Sequence, residues 1–214
     1  MSNWLLQNLR VPNGSVIIDV GANFGWYSCI LAKKFPTAEL YAFEPEADAF
    51  TMLGKNVSEN NLPNVRMFKH ALGSSSGILK LYVSGSENTG THSAVRLENS
   101  SHMVEVDVVP LDHVISAEEV ALMKIDAEGS EYSILLGAES TLRRTRVVML
   151  EFTPNLLVRM GVEPRALLDL MISAGFAIGV VDSLGKLVTE TAEGLLEDAA
   201  TQPLWQKDLI FFRA

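Results

Sequence analysis

The stretch VIIDVGANFG, Val16–Gly25, joins a short apolar run to two glycines, and WYSCILA follows it with the composition of a helix. A buried strand that turns sharply into a helix through glycines can cradle a nucleotide. Glycine accepts a positive φ and lets a ligand approach the main chain, and Asn is the next best residue for that conformation. The helix start adds unpaired N–H groups and a positive dipole end. The stretch predicts a cofactor loop, although a tight turn without a ligand has the same pattern.

The composition is that of an ordinary globular protein, with 48% hydrophobic and 20% charged residues among 214. This length favours one domain, residues 1–214, with room for an insertion. The formal net charge of -9 argues against nucleic acid as a partner, because binders of phosphate backbones need clustered Lys and Arg. The single cysteine, Cys29, excludes an intramolecular disulfide and a cysteine zinc cluster.

The N-terminal segment MSNWLLQNLRVPNG lacks the pattern of a signal peptide, and no apolar run approaches the length of a membrane span. We therefore expect a cytoplasmic protein without a membrane partner. The sequence leaves the oligomeric state open, with a homodimer as one option.

Short apolar strands alternate with helices along most of the chain. The predicted helices are 2–12, 24–35, 46–60, 130–143 and 164–174, and the predicted strands are 15–20, 39–43, 65–70, 121–125, 146–152, 176–181 and 208–212. Crossover helices between such strands imply a parallel sheet with right-handed connections.

Residues 71–112 interrupt this alternation, and we interpret them as a β-rich insertion attached to the sheet and not as a second domain. A turn at 71–77 precedes a strand at 78–83, and a second strand follows at 104–109. Between them, the polar stretch 84–94 is either a solvated connection or a lid over a site, because long loops in compact domains are often functional.

Acidic residues follow several predicted strands, at the edge where open α/β sheets bind ligands. Glu44 ends the second strand, about 20 residues after the glycine turn, where an acid accepts hydrogen bonds from ribose hydroxyls. Asp126 and Glu128 follow the fourth strand, and Glu131 begins a helix there. Helix capping and the helix dipole explain Glu131 well and Asp126 in part.

Two further charges stand in apolar surroundings. Lys124 lies near the end of the fourth strand, and Glu151 ends the apolar run 147–150. A buried charge is costly unless it is paired, so such residues are usually ion-paired or belong to a site. Among the histidines, His92 lies in the polar loop between Thr91 and Ser93, within reach of an acceptor. No spacing of His, Asp or Glu indicates a metal site by itself.

Five motifs in order resemble the FkbM family of S-adenosylmethionine-dependent methyltransferases over about residues 15–152. They are DVGANFGWYS at 19–28, FEP at 43–45, HALG at 70–73, PLD at 110–112 and KIDAEGSE at 124–131. The resemblance implies the class I methyltransferase (Rossmann-like) fold. That fold is an α/β architecture with a seven-stranded, mostly parallel sheet in the order 3-2-1-4-5-7-6 and an antiparallel last strand. The β-rich insertion follows strand three.

The resemblance also implies a cofactor, S-adenosyl-L-methionine, and residues that bind it. By position, the cofactor loop contains Asp19, Gly21, Asn23 and Gly25, Glu44 holds the ribose, and Ala71 lies near the adenine. The segment 124–131 flanks the methionine moiety and the acceptor, which adds Lys124 and Asp126 to the cofactor-binding set.

Methyl transfer is an in-line displacement at a sulfonium, so positioning supplies much of the rate. A hydroxyl acceptor also loses a proton, and a carboxylate or imidazole within hydrogen-bond reach can accept it. The candidates for this role are Asp126, Glu128, Glu151 and His92. We predict no metal, with a divalent cation on Asp126 and Glu151 as the alternative.

The leading hypothesis is therefore an O-methyltransferase that acts on a hydroxyl of a small molecule, sugar or glycan. A nicotinamide-dependent oxidoreductase is an alternative, disfavoured because GANFG lacks the G-x-G-x-x-G spacing. A cofactor-binding module without catalysis is another. A nucleic-acid methyltransferase is opposed by the charge balance.

Overall fold

The computed structural model describes residues 1–84, 92–93, 100–202 and 205–213, and at 84, 92, 93, 100 and 101 it describes the backbone alone. The helices are α1 (Ser2–Asn8), α2 (Trp26–Lys34), α3 (Ala47–Glu59), α4 (Glu131–Leu136), α5 (Glu139–Arg143), α6 (Pro154–Arg159), α7 (Pro164–Ser173) and α8 (Ala192–Ala200). The strands are β1 (Val16–Val20), β2 (Glu39–Phe43), β3 (Val65–Phe68), β4 (Ala71–Leu72), β5 (Gly77–Ser84), β6 (His92–Ser93), β7 (Ser100–Val109), β8 (Val120–Ile125), β9 (Thr145–Phe152), β10 (Ala177–Val181), β11 (Leu187–Glu190) and β12 (Lys207–Phe212).

The central sheet has eight strands in the order β11-β10-β12-β9-β8-β1-β2-β3. The strands from β9 to β3 run parallel, and β12 lies antiparallel between β9 and β10. Counted by the seven predicted strands, this order is 3-2-1-4-5-7-6 with an antiparallel last strand. The class I methyltransferase fold is thus confirmed. One strand is additional: β11 pairs antiparallel with β10 at the sheet edge.

The strands that carry the site are apolar because helices cover both faces of the sheet. All five residues of β1 and all six of β8 are buried, as expected for strands in the middle of a parallel sheet. Alternate side chains enter opposite cores: Ile18 and Met123 pack in one, Ile17 and Leu122 in the other. Packing on both faces therefore keeps the central strands in fixed register, and with them the strand ends at which the site lies.

The insertion forms a four-stranded sheet of its own, in the order β4-β7-β5-β6. It is β-rich, as predicted, but the predicted turn at 71–77 is wrong at its start, because Ala71 and Leu72 pair in parallel with β7. Along β5, Leu81 is 5% exposed and Ile78 is 69% exposed, so one face packs inward. Most of the polar loop predicted at 84–94 lies outside the described residues.

The helix predicted at 130–143 is two helices, and the break lies at Gly137. A Cβ there would stand 2.0 Å from the carbonyl oxygen of Gly73, so the chain passes too close for a side chain. Asp112 then starts α5 by accepting hydrogen bonds from the main-chain amides of Ser140 and Thr141 at 2.8 and 2.7 Å. The short helices α6 and α8 were not predicted, and the predicted helix 2–12 ends earlier, at Asn8.

Within the described part of the chain, no helix combines the length and the apolar character needed to cross a membrane.

Candidate active site

A cavity of about 280 Å³ opens at the carboxyl ends of β1, β2 and β8, and the insertion sheet closes one side of it. Apolar side chains form part of the wall: Phe43, Ala71, Leu72, Leu79, Leu81 and Ile134. Polar groups line the remainder, chiefly Asn23, Glu44, His70, Lys124, Asp126, Glu128 and Ser130. A largely apolar cavity with a few converging polar groups is typical of a small-molecule site.

The loop between β1 and α2 has three left-handed residues, with φ of +69° at Gly21, +51° at Asn23 and +86° at Gly25. A Cβ on Gly21 would stand 1.8 Å from the carbonyl oxygen of Asp126, and one on Gly25 would stand 2.6 Å from Leu53. The approach of the Asp126 carbonyl therefore requires glycine at 21. At 25 the left-handed φ favours glycine, since the contact there is with the tip of a flexible leucine side chain. Gly21 and Asn23 line the cavity, and among the described residues Gly25 does not.

Glu44 lies directly beside this loop and is 3% exposed. Its carboxylate accepts hydrogen bonds from the main-chain amides of Asn23, at 2.8 Å, and Glu46, at 2.9 Å. Each carboxylate oxygen has a second lone pair for a ligand hydroxyl. Burial raises the pKa of Glu44 to about 7, although the two amides act in the opposite direction. The predicted ribose ligand and the predicted cofactor loop are thus joined by a hydrogen bond.

Three carboxylates converge where β8 and β9 end. Asp126, Glu128 and Glu151 each offer an oxygen within 4.8 Å of the others, a spacing that a metal ion could bridge. Burial, followed by repulsion from neighbouring carboxylates, raises the pKa of Glu128 to about 7 and that of Glu151 to about 8. Asp208 stands opposite Glu151 in the β9–β12 pairing, and burial together with Asp126 raises its pKa as well.

Lys124 connects this acidic edge to the glycine loop. Its side chain is buried, and its Nζ lies 2.9 Å from the carbonyl oxygen of Gly21, 3.2 Å from Asp19 Oδ1 and 3.5 Å from Asp126 Oδ2. Burial lowers the pKa of Lys124, but Asp19 and Asp126 outweigh that effect and the net shift is upward. The lysine is therefore charged.

Asp19 is fully buried, and among the described residues it is not part of the cavity wall. Its carboxylate accepts a hydrogen bond from the Ser28 hydroxyl at 2.6 Å and pairs with Lys124. These contacts fasten β1 to α2 and β8.

Glu131 shapes the turn that carries Glu128. Its carboxylate accepts hydrogen bonds from the main-chain amides of Ala127, at 3.2 Å, and Gly129, at 3.0 Å. Glu128 and Gly129 both have positive φ, +49° and +103°. The buried Glu131 thus holds a left-handed turn, which is more than the helix capping that its position suggested.

Most residues predicted for the site surround one cavity. Its wall includes Gly21, Asn23, Glu44, Ala71, Lys124, Asp126 and Glu128. Glu151 lies next to this wall, since one of its carboxylate oxygens is within 4.8 Å of oxygens of Asp126 and Glu128. The backbone of His92 pairs with Val83 in the insertion, whereas its side chain lies outside the described residues.

The structure adds residues that the sequence argument did not select. His70, Trp26, Leu79 and Leu81 line the cavity, and Asp208 lies beside the acidic edge. His70 opens the HALG motif at 70–73, which is the sequence signal that could have selected it. Trp26 directly follows the glycine loop, within DVGANFGWYS. Leu79, Leu81 and Asp208 reach the site through strand pairing, which no local pattern encodes.

This fold and cavity agree with the comparisons to known proteins. Residues 19–178 match the methyltransferase FkbM domain family, and the chain belongs to that family. A hexuronic acid methyltransferase, AglP of Haloferax volcanii, is 31% identical over 74% of this chain and 62% of its own length. The 2-O-methyltransferase NoeI of Sinorhizobium fredii is 26% identical over 74% of this chain and 71% of its own length. This chain thus spans less than two thirds of AglP.

Among solved structures, SMU.1697c of Streptococcus mutans, determined in complex with SAH, has a TM-score of 0.54 at 12% identity. The match covers 100% of this chain and 95% of that one, and it shows the fold alone. The predicted family is confirmed, and the family and fold together indicate S-adenosylmethionine as the cofactor. This assignment places the chain outside the nicotinamide-dependent oxidoreductases.

Proposed function

We propose that this protein is an S-adenosylmethionine-dependent O-methyltransferase that acts on a hydroxyl of a small molecule, sugar or glycan. The observation that carries the proposal is the cavity in which the glycine loop, the carboxylate of Glu44 and the carboxylates of Asp126 and Glu128 stand together. We treat residues 1–214 as one catalytic domain.

The wall of the cavity fits the parts of the cofactor. Glu44 would accept the ribose hydroxyls, and the apolar surface of Ala71, Leu72 and Leu81 would contact the adenine. Carboxylates at the β8 end suit a sulfonium, because a buried positive charge needs a negative partner. When bound, S-adenosylmethionine supplies an electrophilic methyl group.

The protein's own contribution is to orient the acceptor hydroxyl and to take its proton. Glu128 and Glu151 are suited to the second task, since burial, followed by repulsion from Asp126, raises their pKa values to about 7 and about 8. A base whose pKa lies near the working pH is deprotonated in a useful fraction of molecules and still has a strong tendency to accept a proton. Asp126 and His92 remain candidates for the same role.

A saccharide acceptor is supported by AglP, which is described as a hexuronic acid methyltransferase, and transfer to oxygen is supported by NoeI, which is described as a 2-O-methyltransferase. The chemistry needs no metal if a carboxylate accepts the proton. The three carboxylates at the acidic edge are nevertheless close enough to share a divalent cation. Activity that is equal in EDTA and in Mg²⁺ would support the metal-free form.

Two measurements test the proposal. Calorimetry with S-adenosylhomocysteine should show binding in the micromolar range, and no binding would end the proposal. Transfer of labelled methyl from S-adenosylmethionine to a panel of sugars and other hydroxyl compounds should then show turnover. Binding without turnover on any acceptor would favour a cofactor-binding module.

A further inference from the structure

We infer that Lys124 is a positioning residue that acts through Asp126, and that it is not a cofactor ligand. Four protein oxygens lie within 3.5 Å of its Nζ: those of Val20, Gly21, Asp19 and Asp126. Nζ donates hydrogen bonds to the carbonyls of Val20 and Gly21 and forms ion pairs with Asp19 and Asp126, so protein oxygens surround it. The inference deepens the proposed function, on which it rests for its kinetic readout.

The two carboxylates bound to Lys124 differ in a way that separates structure from function. The Asp19 side chain is 0% exposed and belongs to the core, whereas that of Asp126 is 41% exposed and faces the cavity. A half-exposed carboxylate on a strand end would ordinarily sample several rotamers. The buried ammonium, anchored on Asp19 and on two carbonyls, restricts Asp126 to one side.

The lysine also fixes the spacing between the two halves of the site. Its bond to the Gly21 carbonyl ties the glycine loop to the end of β8, and the Asp126 carbonyl occupies the space that a side chain on Gly21 would fill. The centroid of the Tyr27 ring lies 5.3 Å from Nζ, within the range of a cation–π contact. Catalysis by orientation is sensitive to such spacing, because a shift of about 1 Å can cost about 100-fold in rate.

The test removes the lysine without leaving a lone buried charge. Lys124→Met alone would leave Asp19 as a buried carboxylate without its cationic partner, and misfolding could then explain any loss of activity. The informative variant is Lys124→Met combined with Asp19→Asn. The matched control is Lys33→Met, since Lys33 is an exposed residue on α2.

We expect the double variant to bind S-adenosylhomocysteine within about threefold of the parent while kcat for methyl transfer falls at least tenfold. Adding Asp126→Asn to the double variant should lower kcat by less than a further threefold, because Asp126 has already lost its fixed position. An unchanged kcat would show that the lysine only neutralises Asp19. A loss confined to cofactor affinity would show that the lysine acts on the cofactor or on the glycine loop and not through Asp126, and both results overturn the inference.

A readout without turnover separates this inference from the proposed function. Carbon-13 relaxation of the Asp126 side chain should show a rigid carboxylate in the parent and a mobile one in the double variant. Equal mobility in the two proteins overturns the inference even if no acceptor is ever found. If Asp126 is rigid in the parent and mobile in the double variant, but the parent shows no methyl transfer, the positioning role is supported and only the proposed function is contradicted.

Discussion

At the scale of single residues, the most direct prediction concerns the carboxylate of Glu44. Its carboxylate is both a structural acceptor for the amides of Asn23 and Glu46 and the proposed acceptor for ribose. Glu44→Gln keeps the shape but removes the charge and turns one acceptor into a donor. We expect the Kd for S-adenosylhomocysteine to rise about tenfold or more, or about 1.4 kcal/mol, as measured by calorimetry. Glu59→Gln, on the exposed end of α3, is the matched control, and an equal effect in both would contradict the role.

The raised pKa of the same residue predicts a pH dependence. Because burial raises the pKa of Glu44 to about 7, the carboxyl gains a proton as the pH falls from 8 to 6. A protonated carboxyl binds ribose hydroxyls less well than a carboxylate. Affinity for S-adenosylhomocysteine should therefore weaken below pH 7 in the parent and stay level in Glu44→Gln. A parallel fall in both proteins would assign the dependence to another group.

At the scale of elements, the turn between β1 and α2 is held against the end of β8. Gly21→Ala would place a Cβ 1.8 Å from the Asp126 carbonyl oxygen at a φ of +69°. We expect a loss of about 2 to 4 kcal/mol in the free energy of unfolding, measured with urea. Gly14→Ala is the control, since φ is +77° there and nothing lies within 4 Å, so only about 1 kcal/mol of backbone strain applies. Equal losses would mean that the contact with Asp126 is unimportant.

The elements also show which parts of the fold a sequence can predict. The strands β1 and β8 were predictable because they are buried throughout and, apart from Asp19 and Lys124, consist of apolar residues. The break at Gly137 was not, because it depends on the approach of Gly73 from a distant part of the chain. In β11 and α6, few residues are buried, so the periodic signal is too short to detect.

The residues of the site also divide into those that a sequence can predict and those that it cannot. Glu44 and the glycine loop were predictable because one motif fixes their separation along the chain and parallel pairing of β1 with β2 fixes it in space. Asp208 comes to the acidic edge only through its register with Glu151 across β9 and β12. Leu79 and Leu81 come to the cavity through the insertion. Such residues depend on tertiary pairing, which local patterns do not specify.

At the scale of the whole molecule, one edge of the sheet concentrates negative charge in a chain that already carries -9. The pKa values of Glu44, Glu128 and Glu151 rise from 4.5 to about 7, 7 and 8, chiefly through burial. The folded state therefore binds more protons than the unfolded state within that range. Stability falls with rising pH wherever the folded state binds more protons, so the site opposes folding most strongly in its ionised form.

The free energy of unfolding should consequently be higher at pH 6 than at pH 8.5, as measured by urea denaturation at each pH. Glu151→Gln removes one of the raised groups and should stabilise the protein at pH 8.5 by on the order of 1 to 2 kcal/mol, a figure already reduced for its partial exposure. The stabilisation should be smaller at pH 6 and should disappear as the pH approaches 4.5, because below that pH the glutamate is protonated in both the folded and the unfolded state. Glu59→Gln again serves as the exposed control. If the parent kept the same stability from pH 6 to 8.5, the carboxylates of this edge would have to be relieved by a bound cation or by solvent, and their proposed role as proton acceptors would lose its physical basis.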